Sequence, residues 1–474
     1  MSAPPASPSA VSAALLAELD VLRSRLRGED AGPALEALAA ARNSEDGRTA
    51  LDHVAEGFGL SGFERSVLLL AAAPELVGEV AGELAAHTGS AFATFGLALR
   101  ILPDAHWNAL TPAAALRRWH LVRLLDPTTP SRSPLVVDER VLHHLLGAGY
   151  LAPDVAAMTR PAEALPVAAP SLVDAAARVA AAWESGHGVL LHGPQPANLV
   201  PVAGSAAAAL GRSLLVVPAA DLPSQPEERE RVLRLLERES VLGGVAWALD
   251  TSGEVPPWMM RAVEALDAPA AVLVRSPGGD LGREPASRVV PIAVPRLGAA
   301  ERAGVLAACL ARHPGTSSRR PGSSPDETIS AATVFDLPVA DLEAAAAETL
   351  HGPSSLWDAC RGRARRSFDG LARLVEPHRG WDDLVLPPSQ LAQLRGLVDS
   401  VRHRATINDA WGFADGNGRG LGTAALFAGA SGTGKTLAAE VVAGELGLDL
   451  LIIDLSQVVS KWVGETEKHL ARLF

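Results

Sequence analysis

The stretch Gly-Ala-Ser-Gly-Thr-Gly-Lys-Thr, residues 429–436, constrains the chain more than any other. It fits G-x-x-x-x-G-K-[ST] at every fixed position. Its glycines permit a tight wrap, so that the backbone N–H groups of Gly432 to Lys435 can face phosphate oxygens. The apolar run TAALFAG (423–429) reads as a strand entering the loop, and TLAAEVVAGELG (436–447) as a helix leaving it. That helix N-terminus adds partial positive charge. Lys435 is placed to reach β- and γ-phosphates, and Thr436 to hold Mg²⁺ through its hydroxyl. ATP and Mg²⁺ are therefore the expected cofactors, with Lys435 in the catalytic role. A glycine-rich turn without a ligand is the alternative.

A second stretch has the same frame without the chemistry. Gly-Pro-Gln-Pro-Ala-Asn-Leu-Val (193–200) follows the apolar run Val189-Leu190-Leu191. Aligned on the intact loop, Pro196 replaces Gly432, Asn198 replaces Gly434, Leu199 replaces Lys435 and Val200 replaces Thr436. Proline removes an N–H donor, leucine a charge and valine a metal ligand. Asp250 ends a strand where a metal-site aspartate would sit, but Thr251 follows in place of a catalytic glutamate. This reads as a duplicated nucleotide domain that kept its fold and lost its nucleotide. An unrelated α/β domain with a chance Gly-Pro turn is the alternative.

Around these loops the pattern divides into blocks. Residues 1–12 read as a disordered tip. From 13 to 160, apolar residues recur at helical spacing, as in 13–27 and 61–71, with Ser61 and Glu64 spaced as a capping box. LVRLL (121–125) and PLVV (134–137) flank a turn-rich DPTTPSRS and predict a β-hairpin before a helix at 138–147. Helices followed by a hairpin suggest a winged-helix-like N-domain, with a small helical bundle as the alternative. After a Pro/Ala-rich linker, strands at 188–193, 212–222, 243–252, 270–276 and 288–294 alternate with helices, which implies right-handed crossovers and a parallel sheet. Residues 165–375 thus form a degenerate α/β domain with a helical lid, and 381–474 the start of the intact one.

Composition narrows the function classes. Apolar residues make up 48% and aromatics 4%, so the cores must be built from Ala, Leu and Val. The net charge of −12 argues against bulk attraction to nucleic acid or an anionic membrane. Arg117-Arg118-Trp119-His120 is the one local basic candidate in 1–150 and reads as a solvated helix end. Cys309 and Cys360 read as small buried residues rather than a redox pair. No uncharged apolar run reaches the ~18–20 residues of a membrane span, and MSAPPASPSA lacks the order of a signal peptide. A cytoplasmic protein is expected. Only three lysines occur, Lys435, Lys461 and Lys468; in an arginine-rich chain a retained lysine can mark a place for a compact ammonium, with chance and codon bias as the alternative, which covers Lys468 well.

SGTGKTLAAEVVAGELG together with SKWVGETEKHLARLF resembles the AAA family of P-loop ATPases. The resemblance implies an α/β fold: P-loop parallel sheets with helices on both faces, preceded by a mostly α, winged-helix-like N-domain. It implies an ATP-binding set of Gly429, Ala430, Ser431, Gly432, Thr433, Gly434, Lys435, Thr436 and Leu437. Asp383-Leu384-Val385 resembles the segment that contacts adenine, which adds Asp383 and Leu384. Lys461, Trp462, Val463 and Gly464 resemble the family's pore loop, in which Trp462 would grip an extended polypeptide inside a hexameric ring. The whole chain resembles bacterial two-tier members with a degenerate first ATPase domain. The implied function is ATP hydrolysis coupled to remodelling or threading of a protein substrate. A non-hydrolysing nucleotide-binding scaffold and a DNA-handling loader are the alternatives. The family's Walker B pair, sensor, arginine finger and lid lie beyond the pore segment, past Phe474. The sequence is therefore expected to be a fragment of a longer protein, and 474 residues alone are expected to hydrolyse ATP poorly.

Overall fold

The computed structural model describes residues 13–44, 48–251, 255–274, 288–312, 325–352, 354–365, 373–403 and 423–453. The chain divides into two compact units, Met1–Leu165 with Val173–Pro295, and Pro166–Leu172 with Arg296–Phe474.

The first unit opens with helices Ala13–Arg27, Gly32–Ser44, Ala50–Phe58, Gly62–Leu76, Glu79–Thr88 and Phe95–Ile101. Helix Gly62–Leu76 is apolar on most sides and buries Phe63 and every residue from Val67 to Ala73, as a helix at the centre of a core must. Its start is fixed by Ser61 and Glu64, whose side chains each satisfy the other's backbone N–H. Thr49 and Asp52 repeat that device at Ala50–Phe58. A short helix, Ala115–Arg118, leads into β1 (Val122–Leu124), which pairs antiparallel with β2 (Leu135–Val137) before helix Glu139–Leu145. The expected order of helices, hairpin and helix is thus observed.

The same unit continues as a six-stranded sheet. Its strands are β3 (Arg160–Ala162), β4 (Gly188–His192), β5 (Ser213–Pro218), β6 (Val245–Thr251), β7 (Ala270–Val274) and β8 (Val289–Ala293). Their order is β3-β5-β6-β7-β4-β8, and all pairs are parallel except β3 with β5. Helices Pro170–Glu184, Leu199–Ala209, Pro226–Gly243 and Pro257–Ala265 make the crossovers. Every residue of β7 is buried, and in β6 both Trp247 and its neighbours Ala246 and Ala248 are fully buried. The sheet is therefore covered on both faces, which is why these strands read as continuous apolar runs rather than alternating ones. Trp247 Nε1 donates to Leu236 O (3.0 Å) and Ser240 Oγ (2.6 Å), anchoring helix Pro226–Gly243 to the sheet.

The second unit packs helices Ala299–Ala311, Pro325–Val334, Val339–His351 and Leu356–Ala364 together. Arg302 ties the first two, with Nε donating to Ala332 O at 2.7 Å and Nη1 paired with Asp336 at 2.9 Å. Cys309 and Cys360 are buried free thiols, as expected; burial pushes Cys360 up to about 12, so it stays protonated. β9 (Arg373–Val375) pairs antiparallel with β10 (Leu450–Ile452), and helices Pro388–Arg402 and Lys435–Glu445 complete the described part. Arg365 pairs with Asp449, and Trp357 Nε1 donates to Gly447 O at 2.8 Å. The four helices from 299 to 364 are thereby joined to the segment carrying the intact loop. One expected strand is not formed: 423–429 has no regular secondary structure and pairs with no described strand, and Leu426 is 94% exposed. Among the described residues no helix is long and apolar enough to cross a membrane.

Candidate nucleotide-binding site

The loop 429–436 wraps because three of its residues adopt backbone angles that only glycine takes without strain. Gly429, Gly432 and Gly434 have φ of 157°, 82° and 85°. Gly434 is the N-cap of helix Lys435–Glu445 and accepts from Ala438 N at 2.8 Å. The first-turn N–H groups of that helix have no intrahelical acceptor, and no acidic residue occupies the turn to fill the role of an anion. Lys435 folds back over the loop: its Nζ donates to Gly429 O at 2.9 Å and Ala430 O at 2.7 Å. Thr433 Oγ1 donates to Ala430 O at 2.9 Å. Ser431 and Thr436 are exposed. The result is a concave set of N–H donors with one ammonium beside it, open to solvent. These groups fit a triphosphate and its Mg²⁺: amides for the phosphate oxygens, Lys435 for their charge and the Thr436 hydroxyl for the metal.

Leu384 packs in a small apolar cluster with Ala438 and Val441, to which Leu437 and Phe427 add. The helix that begins at Lys435 is therefore braced by the segment expected to hold adenine. Asp383 turns inward on its own backbone, accepting from Gly380 N at 2.9 Å. The far end of the helix is held by residues that carry no sequence signal. Trp381 Nε1 donates to Glu445 at 3.1 Å, and Arg402 pairs with Glu445 at 2.7 Å. Lys461, Trp462, Val463 and Gly464 lie outside the described residues.

The earlier loop is built differently. Pro196–Asn198 forms a 3₁₀ turn. Asn198 is fully buried, with Nδ2 donating to Gln195 Oε1 at 3.0 Å. Leu199, aligned with Lys435, is also fully buried. A Cβ at Gly193 would run into the carbonyl oxygen of Val294. At the end of β6, Thr251 is buried and donates from Oγ1 to Leu273 O at 2.7 Å. The position aligned with Lys435 is thus a buried apolar side chain that offers a phosphate no charge.

Residues 425–474 match the family profile described as "ATPase family associated with various cellular activities (AAA)". Residues 5–159 match a profile for a variant winged helix domain. The chain carries an AAA domain. Over 100 residues, the chain is 34% identical to a protein described as an uncharacterized AAA family ATPase, y4kL, of Sinorhizobium fredii (strain NBRC 101917 / NGR234). That match covers 21% of this chain and 28% of the relative, so the chain spans little more than a quarter of that protein's length. The AAA domain carries the intact loop, and the winged helix precedes the six-stranded sheet.

Proposed function

We propose that this AAA protein binds ATP with Mg²⁺ at Gly429–Leu437 and couples its hydrolysis to remodelling or threading of a protein substrate. The observation that carries the reading is the Lys435 ammonium, held among the described residues by two carbonyls of its own loop at 2.9 and 2.7 Å. A γ-phosphate is a stronger, charge-assisted acceptor than either carbonyl, so Lys435 can swing from loop to ligand without leaving a buried group unpaired. Bound Mg²⁺ neutralises charge on the phosphates; the Thr436 hydroxyl is positioned to hold it. Backbone N–H groups from Gly432 onward orient the phosphate chain, and Leu384 stands beside the helix to meet the adenine side.

In this reading 165–375 is a degenerate ATPase domain that serves as scaffold: the closed turn at Pro196–Asn198 supports that role. The protein works as a homo-oligomer, in a hexameric ring, in the cytoplasm, with Lys461, Trp462, Val463 and Gly464 facing the substrate path. The test is ATP turnover by the assembled protein with and without an unfolded polypeptide such as casein. Stimulated turnover that Trp462→Ala abolishes, while basal turnover remains, is expected. Stimulation unchanged in Trp462→Ala sinks the threading reading and leaves the nucleotide site standing.

A further inference from the structure

The first unit carries a cleft that no residue of the nucleotide loop lines. It is a cleft of about 1200 Å³ between the winged-helix hairpin and helix Pro226–Gly243. Its lining holds seven arginines against five carboxylates, in a chain whose net charge is −12. Arg231, Arg234 and Arg238 recur at three- and four-residue spacing, so one face of the helix presents all three. Arg118 and Arg123 stand on the opposite wall, both exposed, with Arg123 at the outward position of β1. We infer that this cleft binds an acidic peptide segment, gripping its carboxylate or phosphate groups with the arginines of both walls.

Four observations support it. Donors remain to spare: among the described residues, Arg238 Nε and Arg140 Nη1 are buried without a hydrogen-bond partner, although Asp138 and Glu239 pair with these guanidiniums. His120, on the cleft wall, has φ of +53°, an uncommon conformation for a residue with a side chain. Its imidazole is pushed down by burial and then by Arg238, Arg231 and Arg234, against an opposing pull from Asp138. Finally, the arginines nearest solvent are held loosely. The Arg231–Asp154 pair, at 3.2 Å, has side chains 59% and 69% exposed, and such pairs exchange cheaply for an incoming anion.

The cleft suits a peptide better than a nucleic acid. Asp154, Glu227 and Glu230 sit among the arginines and would oppose a phosphodiester strand, which carries a charge every ~3.4 Å. A peptide can place anions against arginines and leave gaps at the carboxylates. The Trp119 ring is already engaged by two guanidiniums, Arg118 at 4.8 Å and Arg234 at 5.6 Å, rather than left for a stacking base. The site also accounts for Arg117-Arg118-Trp119-His120, which sequence alone reads as a solvated helix end.

The experiment is fluorescence anisotropy on the full chain with two labelled eight-residue peptides, one all glutamate and one of alternating phosphoserine and glycine. Saturable binding of at least one peptide is expected, weakened at least about tenfold in Arg118→Glu/Arg123→Glu and unchanged in Arg48→Glu, a distant exposed control. Which peptide binds more tightly separates carboxylate from phosphate recognition. Should the double variant lose its thermal transition, Arg123→Glu alone decides, since an exposed strand position tolerates it. Absence of saturable binding to both peptides, equal loss in Arg48→Glu, no loss in the cleft variant, or tighter binding of a single-stranded oligonucleotide overturns the inference.

Discussion

Arg140 and Glu239, 99 residues apart in sequence, meet at 3.1 Å with side chains only 3% and 0% exposed. Arg140 opens the last winged-helix helix and Glu239 lies on the helix anchored by Trp247, so this pair joins the winged helix to the sheet. Arg238 adds Asp138 at 3.1 Å and donates to His120 O at 3.1 Å. Removing one member of a buried pair leaves an uncompensated charge, whereas replacing both with apolar groups can be nearly neutral. Arg140→Met should therefore destabilise by about 3 kcal/mol, and Arg140→Met/Glu239→Leu by much less. Urea unfolding followed by ellipticity checks both; equal losses would contradict the pairing.

His144 sets an acid limit on the same region. Burial, then Arg140 and His53, push its imidazole down to about 4, and His53 Nδ1 lies 3.4 Å from His144 Nε2. The folded chain keeps His144 neutral where the unfolded chain, near its ordinary value of ~6.5, takes up a proton. Between pH 6.5 and 4 the unfolded state binds more protons, so stability falls as pH falls; above 6.5 this group contributes no slope. The urea midpoint should drop from pH 7 to pH 5, and His144→Gln should flatten that drop. An identical slope in the variant would place the proton uptake elsewhere.

Gly434 offers a test of loop geometry without a change of charge. Its φ of 85° is unfavourable for any residue with a Cβ, yet a Cβ there would meet nothing within 4 Å. Gly434→Ala thus isolates backbone strain, about 1–2 kcal/mol. It should weaken ATP about tenfold and leave the overall melting temperature nearly unchanged. Affinity equal to that of the parent would mean that the loop's shape does not set binding.

Restoring the lysine in the earlier loop should fail. Leu199 is fully buried, so Leu199→Lys puts an unpaired ammonium into the core at a cost of about 3–5 kcal/mol. The turn around Asn198 also lacks the glycine backbone that wraps the intact loop. In a Lys435→Ala background, Leu199→Lys should unfold at lower urea and gain no ATP binding; a gain would show that the closure at Pro196–Asn198 is not what excludes nucleotide.

Much of this is readable in the sequence. Helix Ala13–Arg27, the Ser61–Glu64 capping box and the strand, loop and helix around 193–200 follow from local spacing and cap chemistry. Such signals live within a few residues of each other. What escaped depends on distant partners. β3 is Arg160-Pro161-Ala162, without β-branched or aromatic residues; it is a strand only because the edge of β5 accepts it, and Pro161 is tolerated there because an edge can spare an N–H. Segment 423–429 shows the converse, a strand pattern with no ladder beside it among the described residues. The Arg140–Glu239 pair and the arginine cleft join residues about a hundred positions apart, and neither helix face announces its partner. At the site, Lys435 and its glycines were legible because the motif is contiguous, whereas the bracing of their helix by Trp381 and Arg402 was not.

The most direct measurement is the affinity of the full chain for a fluorescent ATP analogue, with Mg²⁺ and with EDTA, against Lys435→Ala. Loss of a charge-assisted contact costs about 1.5–3 kcal/mol. The parent should therefore bind ATP in a Mg²⁺-dependent way, and Lys435→Ala should bind at least about tenfold more weakly. Equal affinity in the two proteins would contradict the assignment of Gly429–Thr436 as the nucleotide site.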